Sequence, residues 1–159
     1  MPTYTEPSDP TKLKPIVLAL QLRARLQAAE PILKALSDEA ASQPLNPGKW
    51  SAKQVIGHLC DSAMNNQQRI VRLQLEDELT FPGYRQDAWV RVQRYDLLSF
   101  ADVLHLWLTL NHHLAHTVEH LFPGALTNIW TIEEDRITLG FIIEDYIAHL
   151  DYHLRALNA

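Results

Sequence analysis

A chain of 159 residues, 47% of them apolar and only one of them cysteine, can bury roughly two-thirds of its unfolded surface around one core. A single domain over residues 1–159 is therefore expected, with no disulfide framework. Lys and Arg number 14 against 19 Asp and Glu, a formal charge of −5, and there is no basic run or arginine stripe, which argues against nucleic-acid binding.

The opening MPTYTEPSDPTKLK lacks an apolar signal core, and the longest apolar run, IVLAL, is far too short to span a bilayer. The expectation is a cytoplasmic protein with no membrane partner. The lone Cys60 suits a reducing compartment and reads as a small packed thiol. From about Lys14 to Ala41 a helical pattern carries Ile16, Leu20, Leu26, Leu33 and Leu36 on one side, and Pro31 should kink or break it near Glu30. The stretch ASQPLNPGK, with two prolines and a glycine, must be a loop.

A second helix has a strong start signal. Ser51 and Gln54 form a capping box and Trp50 can pack on Val55 as a hydrophobic staple, after which the pattern runs to about Glu76. The mixed segment EDELTFPGYRQDAWVRVQRYD follows, with a turn at Pro82-Gly83 and a short helix around Ala88 to Arg94. A third helix opens with Ser99 and Asp102 as box and Leu98 on Val103 as staple, and it stops before Pro123-Gly124. Its apolar stripe is Val103, Trp107, Leu110, Leu114, Val118 and Leu121. NIWTIEEDRITL alternates in polarity around a charged turn and predicts a small hairpin. In the last helix Leu139, Ile142, Ile143, Tyr146, Leu150, Leu154 and Leu157 recur at three- and four-residue steps.

The fold class these elements imply is all-α, a four-helix bundle. A helix of ~26 residues is about 39 Å long, and the ~22 residues between the second and third helices can traverse that distance. One long crossover therefore suggests an up-down-down-up order. In that order the second and fourth helices are antiparallel, so the start of one lies beside the end of the other.

That topology bears on the histidines, of which the chain has eight. His149 and His153 sit one helical turn apart, within or at the edge of the apolar stripe, so both rings can share a small cation at about 2.0–2.1 Å each. His58, three residues after Val55, faces the core near the start of the second helix. A lone buried His is more often a hydrogen-bonded core residue than a ligand, but three converging on one end of a bundle reverse those odds. The pairs His112 with His116 and His116 with His120 have the same spacing, yet they lie with His105 on the far side of the third helix and read as solvated surface. Cys60 is roughly 200° around the helix from His58 and cannot readily join it.

Three neutral imidazoles leave a divalent ion its charge and an open position, the layout of a catalytic site. Zn fits well, and Ni, Fe(II) or Mn would also bind. Asp61, one turn after His58, and Asp145, one turn before His149, are candidates to accept from the other ring nitrogens. Ser62, Asn65 and Arg69 continue the stripe of His58 as either a structural network or the wall of a substrate pocket. Tyr84 and Trp89 of the crossover can cap such a pocket. Trp50 is assigned to the staple and not to the site, and no residue is assigned as a catalytic acid or base.

The segment W-S-A-K-Q-V-I-G-H-L-x-D, the following NNQQR, the crossover FPGYRQDAW and the terminal HLDYH together resemble the DinB/YfiT-like proteins, bacterial metal-binding four-helix bundles. The resemblance covers nearly the whole chain from Trp50 on. It implies a metal site of one His from the second helix and an H-x-x-x-H pair from the fourth, matched here by His58, His149 and His153. Members include S-transferases that use bacillithiol, mycothiol or similar thiols, and many others carry only a hydrolase label.

The expected function is accordingly a divalent-metal-dependent S-transferase that conjugates a low-molecular-weight thiol to a small-molecule electrophile. Arg69, Arg85 and Arg94 are the only basic groups suggested for a thiol cofactor's carboxylates. The alternatives are a metal-dependent hydrolase that uses bound water, and a non-catalytic metal-bound structural or stress-related module. A homodimer is the protein–protein association left open.

Overall fold

The computed structural model describes residues 3–159. After a short 3₁₀ turn the helices are α1 (Pro15–Lys34), α2 (Asp38–Ser42), α3 (Ala52–Arg72), α4 (Gln86–Gln93), α5 (Phe100–Glu119) and α6 (Leu139–Ala156), with strands β1 (Glu78–Thr80), β2 (Ile129–Ile132) and β3 (Asp135–Thr138). The long helices α1, α3, α5 and α6 form the four-helix bundle. Each of α1 and α3 packs against both α5 and α6.

Helix directions follow from pairs at their ends. The Cys60 thiol, early in α3, lies against the Val103 carbonyl, early in α5. Late in both helices Gln67 donates to Thr117 Oγ1 at 3.1 Å. These two helices therefore run side by side in one direction, as the long chain between them permits. Arg23, in the first half of α1, pairs with Glu119 at the end of α5, so those two run in opposite directions.

Several local expectations need correction. Helix α1 does not break at Pro31 but runs one turn further to Lys34, and α2 is a separate short helix. Pro31 is exposed, so its missing N–H and its ring are accommodated on the water side of a helix already near its end. The buried stripe of α1 is Leu18, Leu22, Leu26, Ala29 and Leu33, whereas Ile16 and Leu20 are 45% and 55% exposed. α3 ends at Arg72 rather than Glu76.

The Ser51–Gln54 capping box is present in both directions. At α5 the Ser99 hydroxyl accepts from Asp102 N, but the Asp102 carboxylate bonds the Ser99 hydroxyl instead of its backbone, so only half of that box forms. The bundle is also not purely helical. The hairpin of β2 and β3 is joined by β1, which pairs in parallel with β2 to make a three-stranded sheet. Three residues of polar and apolar character, ELT, carry too little periodicity to announce a strand. The sheet matters because it forms a wall beside the end of α3 and the start of α6. Among the described residues no helix is long and apolar enough to cross a membrane.

Candidate metal centre

His58 lies in the second turn of α3, and His149 and His153 lie in the last turns of α6. The packing of these helices brings one ring nitrogen from each residue within 4.8 Å of the others. The Nε2 atoms of His58 and His149 are 3.0 Å apart, and the rings of His149 and His153 meet edge to face with centroids 4.6 Å apart. Tetrahedral bonds of 2.0–2.1 Å would place ligand nitrogens roughly 3.3–3.4 Å apart, so the His58–His149 separation is close to that of two ligands on one ion. His153 Nε2 is buried and has no hydrogen-bond partner among the described residues.

Electrostatics prepare these rings to ligate. Burial pushes His58 down to about 3, with repulsion from His153 adding to it. Burial likewise takes His149 to about 2, reinforced by His153 and then His58, and takes His153 to about 4. All three imidazoles are neutral at physiological pH, which is the form that binds a metal. The donor set therefore fits one small divalent cation.

The groups around the rings differ from expectation. Asp61 does not accept from His58. Its Oδ1 takes the Tyr95 hydroxyl at 2.7 Å and the Gln93 amide at 3.1 Å, and His58 Nδ1 has no partner. Asp145 does not accept from His149 either, because its Oδ1 takes the backbone N–H groups of Tyr4 and Thr5. The group beside His149 Nδ1 is Ser62 Oγ at 3.3 Å.

The physical reason is angular. Asp61 lies about 60° to one side of His58 on the helix, and Ser62 lies about 40° to the other. The first side faces Tyr95 and the second faces α6. Asn65 falls on the Asp61 side, where its amide caps the Asp61 carbonyl at 2.8 Å, and it does not border the cavity. Asn66 stands there in its place, donating to Ser62 Oγ at 3.3 Å and accepting from Arg69 Nη1 at 3.1 Å.

A cavity of about 970 Å³ opens beside the centre. His58 and His149 border it, together with Ser62, Arg69, Tyr84 and Trp130, while His153 stands behind them. Tyr84 packs against Trp89 with ring centroids 5.0 Å apart, so Tyr84 reaches the cavity and Trp89 backs it. Arg85 is at the wall, but Arg94 is elsewhere, paired with Asp96 at 2.9 Å. Burial pushes the Tyr84 phenol up to about 12, leaving it a neutral donor.

Trp50, expected to serve the helix start alone, also packs on the site: its ring lies 5.2 Å from that of His58, tilted by 42°. Tyr4 lies 4.7 Å from the His149 ring. Neither contact had a local signal beyond the presence of an aromatic residue. His116 and His120 form a second group with Glu119, but both imidazoles are exposed and Glu119 is already paired with Arg23.

A structure of YfiT from Bacillus subtilis, described as "a probable metal-dependent hydrolase with an unusual four-helix bundle topology", superposes with a TM-score of 0.85 over 97% of this chain and 90% of that one, at 18% identity. That likeness establishes the bundle fold. A protein of Oceanobacillus iheyensis named "putative metal-dependent hydrolase" is 29% identical over 131 residues, covering 78% of this chain and 72% of its own length. A protein of Bacillus licheniformis with the same designation is 27% identical over 134 residues, with the same coverage of each chain. The family model for the DinB superfamily matches residues 21–157, and the chain therefore belongs to the DinB superfamily.

Proposed function

We infer that this protein is a divalent-metal-dependent enzyme in which His58, His149 and His153 hold one ion, and that it transfers a low-molecular-weight thiol to a small electrophile. The observation that carries this reading is the convergence of three neutral imidazole nitrogens at a cavity of about 970 Å³. A divalent ion held there supplies Lewis acidity and lowers the pKa of a coordinated thiol or water toward neutrality. Zn suits the donor set, and Ni, Fe(II) and Mn are the competitors.

The choice between thiol and water as the nucleophile turns on the residues around the centre. Asp61 is anchored through Oδ1 by Tyr95 and Gln93 and does not border the cavity, while Asp145 borders it with its Oδ1 held by the main chain at Tyr4 and Thr5, so Asp145 is the one carboxylate of the two placed to serve as a general base. Attack by water benefits from such a base. A thiol acidified by the ion needs none. The volume is near the upper end for small-molecule sites and leaves room for two reactants. Cys60 is not the nucleophile, because it is fully buried and burial raises its thiol pKa far above neutrality. Water as nucleophile is the second reading, favoured by the hydrolase names of the relatives.

The test is product mass. Metal-loaded protein is incubated with an epoxide or halogenated aromatic, with and without bacillithiol, mycothiol, glutathione or coenzyme A. The thiol reading expects turnover that needs both metal and thiol and a product that carries the sulfur. Metal-dependent turnover without thiol, giving products formed with water alone, would overturn it in favour of the hydrolase.

A further inference from the structure

Arg69 is 2% exposed, and its guanidinium is paired with no carboxylate among the described residues. Its Nη1 donates to Asn66 Oδ1, its Nε and Nη2 are buried without a partner, and its face lies 4.0 Å over the Trp130 ring. Burial lowers its pKa to about 10, which leaves it charged at neutral pH. A buried cation without a counter-charge is unfavourable, so the arrangement is balanced only when an anion arrives from outside the chain.

The edge left free is the one that recognises anions best. Nε–H and Nη2–H project in parallel and match the two oxygens of a carboxylate or phosphate. Asn66 occupies the other edge, and Trp130 fixes the plane. Arg69 borders the same cavity as His58 and His149 and lies eleven residues further along α3, a rise of about 16 Å.

We propose that this cavity binds a small organic anion, with its carboxylate or phosphate head on the Nε/Nη2 edge of Arg69 and its other end toward the histidine cluster. The proposal rests on the reading of the cavity as the substrate site and narrows that substrate to an extended molecule with an acidic head group. Both free nitrogens are closed to bulk water, so the head group enters by displacing Tyr84, which stands on the irregular connection 81–85 beside Arg69 and Ser62 on the cavity wall. Asp87, Glu133, Asp135 and Asp145 outnumber Arg85 and Arg91 around the same cavity, which disfavours a polyanion and leaves the buried fork of Arg69 to a single small head group.

The test titrates glutarate, inorganic phosphate and the neutral analogue glutaramide into metal-free full-length protein by calorimetry. Saturable binding of glutarate or phosphate is expected, with none of glutaramide. Glutarate alone would assign a carboxylate head group, and phosphate alone a phosphate ester. Arg69→Met should weaken binding at least tenfold and melt no earlier than the parent, because it removes an unpaired buried charge. If Arg69→Met does not fold, Arg69→Lys decides, since it keeps the charge and loses the fork: weaker binding at an unchanged Tm supports the proposal.

Equal binding by the parent and the decisive variant, equal binding of glutaramide, or no anion binding would overturn it. Metal content is measured separately. A protein that takes up the ion but neither anion refutes the anion site alone, and one that binds the anions but no ion refutes the metal reading alone.

Discussion

The Nε2 atoms of His58 and His149 stand 3.0 Å apart across the α3–α6 contact, 91 residues apart in sequence. Two neutral imidazoles can share one proton at that distance, or both can direct a lone pair at one cation, and the nearby unpartnered Nε2 of His153 favours the cation. His58→Ala and His149→Ala should each lose most bound metal in elemental analysis, whereas His112→Ala and His116→Ala retain it. A full complement in the first two variants would place the metal elsewhere. An ion that binds only the folded chain at a hundred times its Kd stabilises it by about 2.7 kcal/mol, so chelation should lower the Tm without unfolding the protein at room temperature.

Ser62 sits between His149 Nδ1 and the Asn66 amide, 3.3 Å from each. With His149 ligating through Nε2, its Nδ1–H has Ser62 Oγ as acceptor, and a partner of this kind sets ring orientation and basicity. Ser62→Ala should weaken metal binding roughly 10–100-fold, read by competition with a chelating dye, and Ser62→Thr should restore most of it. An unchanged Kd in Ser62→Ala would remove Ser62 from the centre.

Asp38 links α2 to two other helices. It accepts from the first backbone N–H of α5, at Phe100, and from the buried Lys53 at 3.0 Å. These contacts, the Phe100 N–H first, hold its carboxyl below the usual value of 3.8. A pKa lower in the folded than in the unfolded state gives stability that is present above the unfolded value and lost as pH falls through the folded one. Asp38→Asn should therefore melt earlier than the parent at pH 7, and the gap should close as pH drops below about 3.8. A gap that stays constant to pH 2.5 would show that the ionised form is not what matters.

Gly57, the residue before His58, has the Tyr95 ring against its Cα, where a Cβ would strike ring carbons. Gly57→Ala should destabilise the fold by about 1–3 kcal/mol through overpacking, measured by denaturant unfolding. Once Tyr95→Ala has removed the ring, adding Gly57→Ala should cost little, and the difference is the coupling between the two positions. Equal penalties in both backgrounds would locate the strain elsewhere.

The long helices, though not the ends of α1 and α3, and the inward histidines were legible from the residues alone, because both depend on a periodicity that local neighbours express. Ser51 and Gln54 mark the start of α3 within four residues, and the spacing of His149 and His153 places both rings on one face of α6 wherever that helix docks. What tertiary structure decided is which neighbour each side of a helix meets. Asp61 and Ser62 are adjacent in sequence and about 100° apart around the helix, yet one faces Tyr95 and the other His149 only because of how α3 lies against its neighbours. Asn66 rather than Asn65 borders the cavity for the same reason. The contact of Tyr4 with Asp145 spans 141 residues, and β1 exists only because β2 is there to supply its hydrogen bonds. No local pattern can encode such pairings, since their free energy is gained only when distant segments are already in place.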